Sequence, residues 1–277
     1  MRTEAGLKGK VVVITGAGSG IGAALAQICL ASGATVALSD IRTEKASEIL
    51  EASGELGSVD NLDVSCRDEV FSYIKRIEKQ FGHIELMINN AGVALSATVA
   101  EMSIEDFQWV MDINFWGVVH GTQAVLPGML ARNAGTIVNL SSLFGLIGVP
   151  TQSAYNASKF AVRGFTESLR CELAGTRVKT LCVHPGGIKT NIARNSRFCS
   201  GIDGGQDKNK AVAEFDRVAR VSPEKAAQQI IDAVSKGRDR LLIGSDAKVM
   251  DLMQRGFPVG YSRMLRSLIS FGKPKAR

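Results

Sequence analysis

The sequence contains no apolar run approaching the roughly 18 residues that cross a bilayer. Its first residues, Met1 to Lys8, have no apolar stretch of the kind that opens a secretory signal. A membrane span and secretion are therefore not expected. The five cysteines, at 29, 66, 171, 182 and 199, are odd in number and never paired as CxxC, as expected for reduced thiols of a cytoplasmic protein. Three scattered histidines, at 83, 120 and 184, give no zinc-ligand spacing, so no metal site is expected. Acidic residues are absent from one place only. From Leu252 to Arg277 there are six basic residues and no Asp or Glu. Of 33 basic residues these six leave 27, which balance the 27 acids of the whole chain. The body is neutral, and without a basic stripe and interleaved aromatics no nucleic-acid partner is expected.

What is present begins with Lys10-Val-Val-Val-Ile-Thr15, a short apolar run of the kind buried on both faces of a parallel sheet. Gly16-Ala-Gly-Ser-Gly-Ile-Gly22 follows at once, and then a helical pattern from Ala23 to Ser32. Strand, glycine loop and helix form the setting in which backbone N–H groups meet a pyrophosphate at a helix N-terminus. A second strand, Thr35 to Ser39, ends on Asp40, placed to accept hydrogen bonds from a ribose and to repel a 2′-phosphate. Arg42 is a candidate for meeting such a phosphate, but the glycine loop holds no Arg or Lys, so NAD is expected rather than NADP.

The alternation continues through strands at 59–64, 84–89, 136–140 and 178–184 and helices at 68–81, 104–132 and 153–173. This pattern predicts right-handed βαβ units: an α/β, doubly wound Rossmann-type fold with helices on both faces of a mostly parallel sheet. Ligands of such sheets bind at the carboxyl ends of the strands. Asp40, Asp63, Asn89-Asn-Ala-Gly92, Ser141-Ser142 and Pro185-Gly-Gly-Ile-Lys-Thr190 all fall there. Tyr155 and Lys159, four residues apart, share one helix face. With Ser142 they suggest proton transfer coupled to hydride transfer.

Thr15-Gly-Ala-Gly-Ser-Gly-Ile-Gly22, Asn89-Asn-Ala-Gly92, Asn114, Ser142 with Tyr155-x-x-x-Lys159, and Pro185-Gly186 occur in an order that strongly resembles the short-chain dehydrogenase/reductase family. The resemblance spans roughly residues 10 to 190 and extends to the helix and strand after Ser222. It implies a seven-stranded sheet, a nicotinamide cofactor and a homodimer or homotetramer. By the same resemblance Tyr155 is the general acid/base, and Lys159 depresses its pKa and binds the nicotinamide ribose. Ser142 would polarise the substrate oxygen, and Asn114 would order a water of the relay. Gly16, Ser19, Gly20, Ile21 and Gly22 would form the pyrophosphate turn, with Asp40 on the ribose and Asp63-Val64 at the adenine. Asn90, Ala91 and Gly92 would support the adenosine half, and Pro185, Gly186, Ile188 and Thr190 the nicotinamide carboxamide and phosphates. His184 is read as a strand-end residue.

The uncharged loops Val93-Ala-Leu95 and Leu143 to Pro150 point to an apolar secondary alcohol or ketone. Arg194 and Arg197, in a lid expected at about 191–220, keep an anionic substrate open. One catalytic domain is expected over 1–255, with a basic amphipathic tail over 256–277. In it Tyr261, Met264, Leu265, Leu268 and Ile269 fall at helical spacing. Packing on the body or a neighbouring subunit is the simpler role for that stripe, and weak contact with an anionic membrane surface the other. Two further readings remain: an NADP-dependent carbonyl or enoyl-type reductase, and a nucleotide-binding regulatory or scaffold protein, which usually lacks the tyrosine or lysine.

Overall fold

The computed structural model describes residues 6–202 and 205–264. The chain runs β1 (Val11–Thr15), α1 (Gly20–Ala31), β2 (Thr35–Asp40), α2 (Glu44–Ser53), β3 (Gly57–Asn61), α3 (Arg67–Phe81), β4 (Ile84–Asn89), β5 (Leu95–Ser96), α4 (Ile104–Met111) and α5 (Gly117–Ala131). It continues with β6 (Gly135–Leu140), α6 (Ser153–Glu172), β7 (Val178–Pro185), β8 (Arg197–Phe198), α7 (Lys208–Val218), α8 (Pro223–Ser235), β9 (Arg240–Ile243) and α9 (Ser245–Gly256). A π-helical turn, Asp112–Trp116, joins α4 to α5 into one helical stretch.

Seven strands form one sheet in the order β3-β2-β1-β4-β6-β7-β9, and every pairing is parallel. Alternate residues of β1 face opposite sides, which is why its sequence is apolar throughout rather than every second residue. Val12 and Ile14 pack on one side with Leu25, Leu30 and Ile230 of α1 and α8. Val11 and Val13 pack on the other with Ile74, Ile77, Val125 and Leu169 of α3, α5 and α6. Strand order reverses between β1 and β4, so the glycine loop after β1 and the Asn90–Gly92 turn after β4 flank the crevice of a doubly wound sheet.

Two features differ from the sequence reading. The third strand is Gly57–Asn61, not 59–64, because parallel pairing with Val36–Asp40 of β2 begins at Gly57 and the chain then turns across the strand end. The lid region is partly regular: β8 pairs with β5, and α7 is capped by Asp207, whose carboxylate accepts from the N–H of Asn209 and Lys210. Helix α9 follows β9 and ends at Gly256, where the basic tail is expected to begin. Tyr261 and Met264 start a further helical turn, whereas Leu265, Leu268 and Ile269 lie outside the described residues.

Candidate active site

The glycine loop is held from three sides. Asn90 donates its side-chain amide to the carbonyls of Thr15 (3.0 Å) and Gly16 (2.9 Å). The Thr15 hydroxyl accepts from the N–H of Asn90 and Ala91. The Asp40 carboxylate accepts from Gly18 N–H at 2.8 Å and from Arg42 N–H at 3.0 Å. Gly20 has a φ of +52°, and a Cβ there would lie 3.0 Å from Thr190. The loop therefore faces Thr190 across a space that only glycine leaves open, with Ser19, Gly20, Ile21 and Gly22 leading into α1. Such a cradle of backbone N–H groups at a helix start fits the pyrophosphate of a dinucleotide. Asp63 and Val64 sit beyond β3. Asp63 accepts from the N–H and hydroxyl of Ser65 and is exposed, while the Val64 carbonyl meets His120 Nδ1 at 3.0 Å.

Ser142 lies just after β6 in extended backbone, where its hydroxyl accepts from Phe144 N–H and caps a short 3₁₀ turn. Tyr155 is in the first turn of α6, and its ring meets Phe144 edge-on at 6.0 Å. The Lys159 ammonium lies 5.6 Å from the Tyr155 ring centre and donates to the Leu140 carbonyl at 3.0 Å. The trio expected from spacing is thus assembled. Burial pushes the Tyr155 phenol up to about 12, and a hydrogen bond with Ser142 acts against that rise. Burial draws Lys159 down to about 8, which leaves it mostly protonated at neutral pH. In the chain alone the Tyr155 phenol is governed by desolvation, with Ser142 as the group that opposes it.

Asn114 is fully buried in the π-helical turn, a distortion frequent at functional sites. Its amide pairs twice with Val93, accepting from the N–H at 2.8 Å and donating to the carbonyl at 3.0 Å, and also donates to Ser158. The side chain thereby fixes the loop after β4 to the helix that carries it. Gly92 is between them: a Cβ there would lie 3.1 Å from Asn114 Oδ1 and 3.5 Å from Lys159 Nζ.

Three residues that spacing did not single out complete the arrangement. Asn156, next to Tyr155, donates to the carbonyls of Phe144 and Ile147 (both 2.7 Å) and accepts from Val149 N–H, which staples the loop after Ser142 to α6. Asp246, in the first turn of α9, accepts from Gly187 N–H at 2.6 Å and braces the Pro185–Gly187 turn. His184, fully buried, donates from Nδ1 to the Ser142 carbonyl at 3.1 Å. That carbonyl can only accept, which fixes the tautomer. Ile188 is buried and bridges to Val221. Arg194 and Arg197 do not point to an anionic ligand: Arg194 pairs with Asp216, and Arg197 with Asp106 while lying 3.8 Å over the Trp109 ring.

Comparison with known proteins agrees with this geometry. The family model for short chain dehydrogenases matches residues 10–198. The chain is 45% identical over 277 residues to the putative oxidoreductase SadH of Mycobacterium tuberculosis, covering 98% of this chain and 99% of that one. Among solved structures, it resembles a short chain dehydrogenase/reductase from Burkholderia phymatum in complex with NAD, with 29% identity, a TM-score of 0.82, and coverage of 91% and 94%. It also resembles the closed form of serine dehydrogenase complexed with NADP+, with 28% identity, a TM-score of 0.76, and coverage of 84% and 94%. The all-parallel seven-stranded sheet, the glycine turn after β1 and the matched sequence together make this chain a member of the short-chain dehydrogenase/reductase family, and an NAD(P)-dependent oxidoreductase.

Proposed function

We propose that the enzyme interconverts an apolar secondary alcohol and its ketone with NAD, and that Tyr155 moves the proton. The observation that carries this reading is the placement of Tyr155 between Ser142 and Lys159, against a loop, Leu143 to Pro150, that contains no charged residue. A nicotinamide seated beside the Pro185–Thr190 turn would supply or accept the hydride. Everything else falls to the chain. Ser142 donates its hydroxyl hydrogen to the substrate oxygen and holds it beside the phenol. For ketone reduction a phenol near 12 is protonated at neutral pH and gives its proton to the developing alkoxide. For alcohol oxidation the proton moves the other way, and the phenolate needs positive charge nearby, part of which Lys159 provides.

The NAD preference rests on Asp40. Its carboxylate closes the end of β2 against the loop N–H of Gly18, where a 2′-phosphate would meet negative charge. An NADP-dependent reductase remains the second reading because Arg42 lies exposed beside it. Pairing of Arg194 and Arg197 within the protein favours an uncharged substrate over an acidic one. We further read residues 1–255 as one catalytic domain, with the lid at 191–220 and a basic tail at 256–277, in a homodimer or homotetramer located in the cytoplasm. No described helix is long and apolar enough to cross a membrane.

The test is a panel of alcohols and ketones, with cyclic, steroidal and aliphatic members and a set of hydroxy acids, followed at the reduced-nicotinamide absorbance with both cofactors. Expected are higher kcat/KM with NAD and a preference for apolar members. Turnover confined to hydroxy acids, or a higher kcat/KM with NADP, overturns the assignment.

A further inference from the structure

The segment from Ser245 to Met264 exposes apolar side chains that no part of the described protein covers. Val249 and Leu252, three residues apart on α9, are 52% and 73% exposed. Phe257, Val259 and Met264 follow at 56%, 79% and 41%. Scattered surface apolar residues are ordinary, but five within sixteen residues, two of them three apart on α9, are denser than such scatter.

Charge tells which partner fits. Both acids of the segment are turned inward. Asp246 is bound to Gly187 N–H, and Asp251 is buried against Arg240 (2.6 Å) and Arg255 (3.1 Å). The ionised groups left facing solvent, Lys248, Arg255 and Arg263, are all cationic. The sequence that follows, outside the described residues, adds Arg266, Lys273, Lys275 and Arg277 with no acid. A second copy of the chain would bring the same cations against one another, and like charge across an interface disfavours that pairing. That holds for face-to-face pairing; the exposed acids Glu44, Glu48, Glu51 and Glu55 lie elsewhere, on and beside α2, and the self-association measurement below covers a contact with them. An anionic, apolar-cored surface satisfies both halves of the pattern: apolar side chains enter the acyl boundary while cations meet headgroups.

We propose that residues 248–264 form a docking face for an anionic lipid bilayer. This inference does not depend on the assigned reaction, but it has a bearing on it. The Tyr261 hydroxyl accepts from Gly148 N–H at 2.9 Å. Met250 and Tyr261 pack with Leu143, Leu146 and Ile147. The docking face is therefore in direct contact with the loop whose Phe144 lies on Tyr155.

The experiment uses the full chain and sedimentation with vesicles of phosphatidylcholine, either pure or containing one-third phosphatidylserine. Binding is expected only to the anionic vesicles, and is expected to be lost at half-molar salt, where charges are screened within a few ångströms. Leu252→Asp with Val259→Asp, and separately Lys248→Glu with Arg263→Glu, should each weaken partitioning at least about ten-fold, since each cation near an anionic leaflet contributes about five-fold. All four positions are exposed, so an unchanged thermal midpoint shows that the variants are folded. Equal partitioning onto pure phosphatidylcholine, or full binding by either variant, overturns the proposal. So does concentration-dependent self-association that the Leu252→Asp, Val259→Asp variant abolishes without any vesicle binding, which would give the face to a second copy.

Discussion

The carboxylate of Asp246 accepts a hydrogen bond from Gly187 N–H at 2.6 Å, and the space around it has been emptied to allow this. A Cβ at Gly186 would lie 2.2 Å from that carboxylate, so a larger residue there would displace the Asp246 side chain from its bond to Gly187. The Pro185–Gly187 turn is also tied by Gly186 N–H to the Ile243 carbonyl and by Arg220 N–H to the Gly187 carbonyl. The turn proposed to receive the nicotinamide half is thus braced from β9 and α9, elements some 60 residues away in the sequence.

Replacing Asp246 with Ala removes a charge-assisted bond of about 1.5–3 kcal/mol and frees that turn. Affinity for NADH should fall by about ten-fold or more, while affinity for AMP, which in the proposed placement stops at the glycine loop and Asp40, should hold. Fluorescence titration of NADH and calorimetry of AMP separate the two. Equal losses for both ligands would mean that Asp246 supports the fold at large rather than the turn.

Tyr155→Phe keeps the ring against Phe144 and deletes only the hydroxyl. Turnover should drop by about 10²- to 10⁴-fold or more, the usual scale of a lost acid/base group, with NADH binding unchanged. Stopped-flow measurement of the hydride step, alongside the NADH titration, gives both numbers. Activity within a few-fold of the parent would remove Tyr155 from the chemistry.

The sheet, its buried strands and the Ser142, Tyr155, Lys159 cluster were legible because each rests on a local pattern: period two, period 3.6, or a spacing of four. The glycine loop was legible because its residue type answers a backbone requirement. The braces were not. Asn156 sits inside the Tyr155–Lys159 motif, yet its amide acts on the carbonyls of Phe144 and Ile147, and nothing in its own neighbourhood signals a loop to be held. Asn89 donates to Asn139 at 2.8 Å, and Asn139 to Thr166, a buried polar chain formed by residues from three distant elements. A polar residue in a strand gives no sign of which partner it will find. Arg194 and Arg197 show the same limit from the other side: the sequence leaves an anionic ligand open for them, and does not reveal that Asp216 and Asp106 are their partners within the protein.

The same pairing makes the lid testable. Arg197 holds β8 to the body through Asp106 at 2.6 Å and through the Trp109 ring. Both interactions are half-exposed and together contribute about 1–2 kcal/mol. Arg197→Ala should raise the rate of limited proteolysis near residues 194–207 several-fold and raise KM for substrate, with little change in the global melting temperature. Protection equal to that of the parent would show that the β5–β8 pairing alone holds the segment.

His184 carries a pH dependence with a defined sign. Its buried imidazole is pushed down to about 4, chiefly by desolvation, with Arg240 and Arg163 adding to the fall and the Ser142 carbonyl and Asp251 opposing it. An unfolded histidine takes up its proton near 6.5. Between these values the unfolded chain binds more protons than the folded one, so stability is whole above about 6.5 and falls as pH drops toward 4. The loss contributed by this one residue reaches about 3 kcal/mol at the acid end. His184→Asn keeps a donor for the Ser142 carbonyl and cannot titrate. It should cost stability at neutral pH by leaving a cavity behind the site, and its deficit against the parent should shrink as pH falls through the window. Urea unfolding of both proteins from neutral to mildly acid pH measures the difference directly. Parallel pH profiles would show that the imidazole does not charge on unfolding in this range, and the acid sensitivity would then belong to the carboxylates.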